Sequence, residues 1–230
     1  MEIQVGKTCL IVPHQEGERT FQYPAFRGNY GSVAEAIDKD TLGRPISSET
    51  ASLVYDAFQN KKGEYESQII NLLKDAFLWE FIGNLYLPKS NEELNNGVIL
   101  ENNPQIINGR LNMDKQSLVK RLQSNDPLVK FVPFGYKIGT QKPKELGKNP
   151  YIVARYGEEG AQKISEVASK YKVNPHLFSF ESVDEEKTRS SALNRGWDWY
   201  FVGRLDVIGS SWGDNWDGHA FGVCAPKESE

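Results

Sequence analysis

The stretch that decides the interpretation of this chain is residues 195–223, RGWDWYFVGRLDVIGSSWGDNWDGHAFGV. It contains four of the five tryptophans in the protein, Trp197, Trp199, Trp212 and Trp216. Over residues 204–207 apolar and polar side chains alternate, which predicts a half-buried β-strand, and the Gly, Ser, Asp and Asn residues around it are typical of loops. Aromatic rings beside small polar residues are also the composition of a ligand-binding surface. A tryptophan-rich hairpin core is the alternative interpretation.

The composition is that of an ordinary globular protein. The 230 residues are 25% charged and 39% hydrophobic, which is enough for a substantial core. A net charge of −4 argues against nucleic acid as a partner, because non-specific binding to nucleic acid needs a basic surface. No apolar run reaches the length of a membrane span, and the N-terminus lacks a secretory signal pattern. We therefore expect a cytoplasmic protein without membrane insertion.

The residues that most often bind metals are few and scattered. Cys9 and Cys224 cannot form a disulfide framework or a four-cysteine zinc site. Two thiols in a reducing compartment are the expected state, and a disulfide joining the ends of the chain is the alternative. None of His14, His176 and His219 belongs to a ligand pair such as HExxH. We expect no cofactor.

Helical periodicity is concentrated in the first half of the chain. Helices are predicted over residues 30–40, 45–60, 63–81 and 157–171, with another beginning after Asp114. Ser47 or Ser48 is the expected N-cap of the second helix. Ser182 and Glu185 form a capping-box pattern, which predicts a last helix running towards Leu193.

Short apolar or alternating segments predict the strands. They cover residues 9–12, 85–87, 98–100, 131–134, 151–154, 177–180 and 204–207. Residues 104–110 and 135–150 are expected to be connections. No fixed-period repeat or long linker interrupts the chain. The pattern predicts an α+β fold in a single domain, residues 1–230.

The C-terminal stretch resembles the variable region of diversity-generating retroelement variable proteins, and the whole chain looks like an archaeal member of that group. Three segments carry the resemblance: RGW at 195–197, GRLDV at 203–207 and DGHAFGV at 217–223. In that group the fold is a C-type lectin fold. A dedicated reverse transcriptase copies a template repeat with errors at adenines, so that asparagine codons are favoured targets. The resemblance implies a non-catalytic ligand-binding protein with a variable region over residues 190–225 and a protein or other macromolecule as partner.

The resemblance divides this region into two sets of positions. The implied scaffold positions are Arg195, Gly196, Trp197, Gly203, Arg204, Leu205, Val207, Phe221, Gly222 and Val223. The candidate ligand-binding positions are Asn194, Asp198, Trp199, Tyr200, Phe201, Ser210, Ser211, Trp212, Gly213, Asp214, Asn215, Trp216 and His219. Trp199, Trp212 and Trp216 are either fixed or derived from AGG template codons, because adenine changes in an asparagine codon do not produce tryptophan. Such a surface requires that buried residues hold the backbone while the variable side chains point outward.

Two other functions remain open on the same kind of scaffold. Formylglycine-generating enzymes resemble this fold and carry a similar RG-x-W segment. Their oxidative chemistry uses a pair of nearby cysteines, whereas this segment contains only Cys224. A calcium-dependent glycan-binding lectin would use the oxygen ligands of residues 214–217, DNWD. Trp216 interrupts the ligand spacing there, so a turn-forming loop is the favoured interpretation.

Overall fold

The structure is a computed structural model that describes residues 9–15, 17–61, 63–195, 203–211 and 216–224. The helices within these ranges are α1 (Tyr30–Lys39), α2 (Ser47–Gln59), α3 (Glu64–Asp75), α4 (Lys115–Gln123), α5 (Pro143–Leu146) and α6 (Pro150–Ser169). The strands are β1 (Cys9–His14), β2 (Gly17–Gln22), β3 (Phe26–Gly28), β4 (Phe77–Leu87), β5 (Gly97–Asn102), β6 (Gln105–Ile107), β7 (Arg110–Asn112), β8 (Val129–Pro133), β9 (Gly139–Thr140), β10 (His176–Phe178), β11 (Lys187–Asn194), β12 (Asp206–Ser211) and β13 (Gly218–Ala220). The predicted mixture of helices and strands is confirmed, and the six described helices divide evenly, with α1–α3 in the first half of the chain and α4–α6 in the second. Within the described ranges, no helix combines the length and the apolar character needed to span a bilayer.

Local capping interactions determine where the first helices begin. At α1, the Asn29 side chain accepts a hydrogen bond at 2.9 Å from the backbone N–H three residues later. At α2 the N-cap is Ile46, whose backbone N–H donates to the Glu49 carboxylate at 3.0 Å. The predicted serine cap is therefore wrong, because Ser47 and Ser48 lie inside the helix. A glutamate at the third helical position satisfies the free N–H group instead.

The main sheet is organised around β4, which is buried on both faces. Leu78, Ile82 and Tyr86 belong to the core that also contains residues of α2 and α6. Trp79 and Phe81 alternate with them and pack in a second cluster with residues of α1. Successive strand residues point to opposite faces, so both faces of β4 are apolar and its sequence is a nearly continuous apolar run.

The strand order places β12 and β13, both from the C-terminal stretch, on opposite sides of the central pair of strands β4 and β11. The order is β3-β13-β4-β11-β12-β10-β9, and β5 and β8 extend the sheet from the second half of β4. β11 is antiparallel to both β4 and β12. β13 is parallel to the start of β4, and β12 is parallel to β10. β12 and β13 are thus separated by β4 and β11.

The predicted helix over residues 63–81 is wrong in its last part. α3 ends at Asp75, and Ala76 is extended, with φ −158° and ψ −175°. β4 begins at the next residue, Phe77. The apolar pattern continues across this boundary, so helical periodicity alone does not reveal it. The aromatic and β-branched side chains that follow favour a strand.

The predicted strand over residues 151–154 is wrong, because these residues form the first turns of α6. The Asn149 side chain accepts a hydrogen bond from the Tyr151 backbone N–H at 3.0 Å, and Pro150 occupies the first helical position. Both features are strong signals for a helix start. An apolar run of four residues does not distinguish a strand from a buried helix segment.

The helix predicted from the capping-box pattern at Ser182 is also wrong. Residues 187–194 form β11, and residues 189–194 are all buried between β4 and β12. Hydrogen bonding to strands on both sides outweighs a local capping signal, which is worth only about 1 kcal/mol. The predicted strand over residues 204–207 is shifted: it begins at Asp206 and continues to Ser211.

The predicted connection over residues 104–110 contains a β-hairpin. β6 and β7 pair antiparallel around Asn108 and Gly109, which have φ values of 51° and 72°. Asn-Gly is the preferred pair for a two-residue hairpin turn that needs positive φ at both positions. This Asn-Gly signal is present in the sequence, but the flanking strands have only three residues each, which is too short to show an alternating pattern. Residues 135–150 also contain two short elements, β9 and α5.

Candidate functional site

A cavity of about 300 Å³ lies beside β12. Its lining comes from several strands and their connections: Phe77, Phe178, Asn194, Arg204, Asp206, Ile208, Ser210 and Trp216. Six of these eight residues lie within 190–225, the segment in which the ligand-binding positions are predicted. The volume is at the lower end of the range for ligand pockets. This cavity is therefore the candidate site.

β12 presents alternate residues to the cavity. Asp206, Ile208 and Ser210 line it, whereas Val207 and Gly209 are buried. The Val207 side chain belongs to the core that contains residues of α2 and α6. Because neighbouring strand residues point to opposite faces, one face of β12 is available to a ligand while the other is fixed in the core.

Aromatic side chains form one wall of the cavity. Trp216 is 46% exposed and Phe178 is 36% exposed. The Trp216 ring packs edge-on against Phe77 with centroids 5.8 Å apart, and the Arg204 guanidinium lies 5.8 Å from the centroid of Phe178. Aromatic rings of this kind offer a large contact area with few rotatable bonds to immobilise.

A buried ion pair lies at the cavity. Arg204 Nε donates to Asp206 Oδ1 at 2.6 Å, and the two side chains are only 7% and 5% exposed. Burial raises the pKa of the Asp206 carboxyl, and the hydrogen bond from Arg204 acts in the opposite direction. The pair adds no net charge to the cavity, so it provides fixed polar groups rather than attraction for one sign of charge.

Asn194 adds a hydrogen-bond acceptor that none of the described residues uses. Asn194 and Asp206 are cross-strand partners, and both residues line the cavity. Asn194 is 4% exposed, and its Oδ1 atom has no hydrogen-bond partner within the described ranges. A buried polar atom without a partner costs about 1–3 kcal/mol. A ligand that donates an N–H or O–H group at this point would recover that cost.

The core-facing side of β12 is held by a buried hydrogen-bond network. Tyr86 Oη donates to the Gly209 carbonyl at 2.9 Å. Tyr151 Oη donates to Asn84 Oδ1 at 2.6 Å, and Asn84 Nδ2 donates to Ser191 Oγ at 2.7 Å. The network joins α6 to β4, β11 and β12. Gly209 leaves no room for a side chain, since a Cβ atom there would lie 1.9 Å from Tyr151 Oη.

A second buried ion pair attaches α6 to the same strand. Glu80 and Arg155 are in direct contact, and neither side chain is exposed. Tyr156 Oη donates to Glu80 Oε2 at 3.0 Å, and Arg155 Nη1 donates to the Ile208 carbonyl at 3.0 Å. Burial raises the pKa of Glu80, while Arg155 and Tyr156 lower it. The backbone of β12 at the cavity is thus anchored by groups that the ligand does not contact.

Five of the thirteen candidate ligand-binding positions lie in the described residues, and the cavity brings three of them together: Asn194, Ser210 and Trp216. His219 is half-buried in β13 and does not line the cavity; burial lowers its pKa. Ser211 is only 9% exposed and does not line the cavity, which differs from the outward presentation expected for this residue. The other eight positions lie outside the described residues: Asp198, Trp199, Tyr200, Phe201, Trp212, Gly213, Asp214 and Asn215.

The scaffold positions are mostly buried, as a supporting role requires. The buried ones are Gly203, Arg204, Leu205, Val207, Phe221 and Gly222, and the partly buried ones are Arg195 and Val223. Gly196 and Trp197 lie outside the described residues. Arg204 departs from a purely supporting role because its side chain also lines the cavity. Its assignment as an invariant position stays a prediction.

Sequence reasoning missed four lining residues: Phe77, Phe178, Asp206 and Ile208. For Asp206 and Ile208 the signal was available, since both alternate with Val207 and so share one face of a strand. For the two phenylalanines no local signal existed, because their place at the cavity depends on strand order.

The described residues bear on the calcium-binding and disulfide alternatives. Within the described ranges, no group of acidic, histidine or cysteine side chains is arranged to hold a metal ion. In the proposed calcium loop only residues 216 and 217 are described, and Asp217 is exposed and lies 3.6 Å from Arg27 Nη2. No disulfide joins Cys9 to Cys224.

Comparison with known proteins identifies the fold. The chain has the C-type lectin fold. It superposes on a solved chain described by the words "Accommodation of massive sequence variation in Nanoarchaeota by the C-type lectin fold", with a TM-score of 0.59 and 18% sequence identity. The match covers 89% of this chain and 98% of that chain. No family model and no curated protein sequence matches this chain.

Proposed function

We propose that this chain is a ligand-binding protein whose C-terminal surface is diversified by a retroelement, and that it has no catalytic activity of its own. The observation that carries the proposal is the division of β12 into a core-facing side and a side that lines the cavity. The segments RGW, GRLDV and DGHAFGV and the fold shared with a chain described in terms of massive sequence variation support it. The similarity to that chain, whose description names Nanoarchaeota, also supports an archaeal source.

The partner is a protein or another macromolecule. Trp216 and Phe178 provide exposed aromatic anchors, and Asn194 Oδ1 provides an unpaired acceptor. A few well-placed contacts of this kind supply most of the affinity in protein interfaces. The rest of the surface can therefore change without the loss of all binding.

The experiment that tests the proposal is to sequence the DNA beside the gene. We expect a near-copy of the codons for residues 190–225, with mismatches confined to adenines of the template, and a neighbouring reverse transcriptase gene. The substituted codons should include those for Ser210 and Asn194, which line the cavity. Flanking DNA that lacks both the near-copy and the reverse transcriptase would contradict diversification.

Substitutions on the two sides of β12 should differ sharply in their effect on stability. Replacing Ser210 by Asn, Asp or Tyr should change the free energy of unfolding by no more than about 0.5 kcal/mol, because its side chain faces the cavity. Val207→Ala, three positions earlier, should cost about 2 kcal/mol because Val207 has no exposed surface. Urea denaturation measures both. Equal costs at the two positions would contradict the assignment of the two faces.

A further inference from the structure

A second cavity, of about 420 Å³, lies where α2, α3 and α6 end. Its lining residues are Phe58, Ile70, Lys74, Lys170, Tyr171, Lys172, Arg195 and Gly203. It shares no lining residue with the cavity beside β12. The proposed function gives it no role, and the inference drawn from it does not depend on that function.

The lining carries a surplus of positive charge. Four of the eight residues, Lys74, Lys170, Lys172 and Arg195, are cationic, and none of the described lining residues is acidic. Within the described parts of the chain, none of these four forms a salt bridge. The simplest role of lysines here is to offset the helix dipoles. Each helix C-terminus carries only about −0.5 charge, so three ends offset less than half of four positive charges.

Two hydrogen-bond donors at this cavity have no acceptor among the described residues. Tyr171 Oη and Arg195 Nε are both buried, and neither bonds to any atom in the described parts of the chain. Burial raises the pKa of Tyr171, so its hydroxyl keeps its proton at neutral pH and can donate. An orphaned hydroxyl and an orphaned guanidinium N–H both call for an oxygen acceptor. A carboxylate or phosphate oxygen also suits the surrounding charge.

The apolar part of the lining indicates what else the ligand contains. Phe58 and Ile70 lie at the same cavity as the cations. A further cation, Lys61, lies 5.6 Å from the centroid of the Phe58 ring. The volume is larger than a bare phosphate or sulfate ion needs, which leaves space for a small organic group against Phe58 and Ile70.

We infer that this cavity is a binding site for a small organic oxyanion, a phosphate or sulfate monoester, held by Lys74, Lys170, Lys172, Arg195 and the Tyr171 hydroxyl. The oxyanion accepts hydrogen bonds from the two orphaned donors, and the lysines neutralise its charge. The organic group contacts Phe58 and Ile70. The two lining residues that belong to the segment 190–225, Arg195 and Gly203, are predicted scaffold positions, so the proposed diversification would leave this site unchanged.

The test uses the full chain with phenyl phosphate, phenyl sulfate and inorganic phosphate as probes. Because a ligand that binds only the native state raises stability, a saturable rise in Tm reports binding. We expect saturation with either ester and a weaker response to inorganic phosphate. K170Q/K172Q should weaken phenyl phosphate binding at least about ten-fold, and Tyr171→Phe should weaken it about ten-fold through the loss of one hydrogen bond to a charged group. Comparison of phenyl sulfate with phenyl phosphate shows which oxyanion the cavity prefers.

Three controls separate this site from general ion effects. K89Q/K130Q removes the same charge from exposed residues outside the cavity and should leave the affinity unchanged. Sodium chloride at matched ionic strength and neutral phenol should produce no saturable shift. Tyr171→Phe should not destabilise the ligand-free protein, because it removes an unpaired buried hydroxyl. Equal affinity in K170Q/K172Q and the unmodified protein would overturn the inference, as would binding of heparin without any response to the three small probes.

Discussion

Arg155→Met is expected to lower the free energy of unfolding by about 3–5 kcal/mol, the usual cost of removing one partner from a buried ion pair. The substitution leaves the Glu80 carboxylate with no cation in a fully buried position. It also removes the donor to the Ile208 carbonyl, which lies in the strand beside the cavity. Urea denaturation of the purified chain measures the change. A loss well below 1 kcal/mol would contradict the role given to this pair.

Two further variants distinguish a broken pair from lost packing. E80M/R155M removes both charges together, and it should recover most of the stability lost by Arg155→Met, because an apolar pair in place of a buried ion pair is often neutral or stabilising. Lys137→Met breaks the Lys137–Glu145 ion pair, whose side chains are 57% and 47% exposed. We expect no measurable change for that variant, because exposed pairs contribute little. If E80M/R155M were as unstable as Arg155→Met, packing rather than unpaired charge would explain the loss.

Gly209→Ala should cost about 2–4 kcal/mol, the sum of overpacking and one lost hydrogen bond in a buried network. A Cβ atom at this position would lie 1.9 Å from Tyr151 Oη and 3.2 Å from Tyr86 Oη. Tyr151 is fully buried, so its ring can yield only by giving up the hydrogen bond to Asn84. Thermal and urea unfolding both report the effect.

A double-mutant cycle tests whether the clash with Tyr151 causes the loss of stability in Gly209→Ala. In Tyr151→Phe the atom nearest the new methyl group is absent, so Gly209→Ala should cost less there than in the unmodified protein, by at least about 0.5 kcal/mol. Gly17→Ala is the matched control, because no atom lies within 4 Å of a Cβ at that exposed position. It should change stability by no more than about 0.5 kcal/mol. Strictly additive effects of the first two substitutions would contradict the clash.

The parts of the fold that could be predicted from sequence are those whose signals are local. α1 and α2 follow from apolar residues at helical spacing, and β5 follows from a short aliphatic run. The α+β class and the C-type lectin fold were also predicted, the second from segments in the last part of the chain. Only residues 85–87 of the buried strand β4 were predicted as a strand. Both faces of β4 are apolar, so its sequence lacks the alternation that identifies a strand.

The cavity could be predicted only in part, because it depends on contacts between distant strands. The alternation around Val207 gives the cavity-facing side of β12 directly. By contrast, Phe77 and Phe178 reach the cavity through the order β4-β11-β12-β10, which no local pattern encodes. The buried pair of Glu80 and Arg155 joins residues 75 positions apart, so it too was invisible in the sequence.

The alternation along β12 also restricts the kinds of mutation that this segment can accumulate. Loss or gain of a single codon between Asp206 and Ile208, where β12 pairs with Ala192–Asn194 without a register shift, would shift the register by one residue and exchange the inward and outward sets. Val207 would then meet solvent, and polar side chains would enter the space packed against Tyr151. Natural versions of this protein should therefore carry different side chains at the outward positions while keeping the spacing between Arg204 and Ile208 constant.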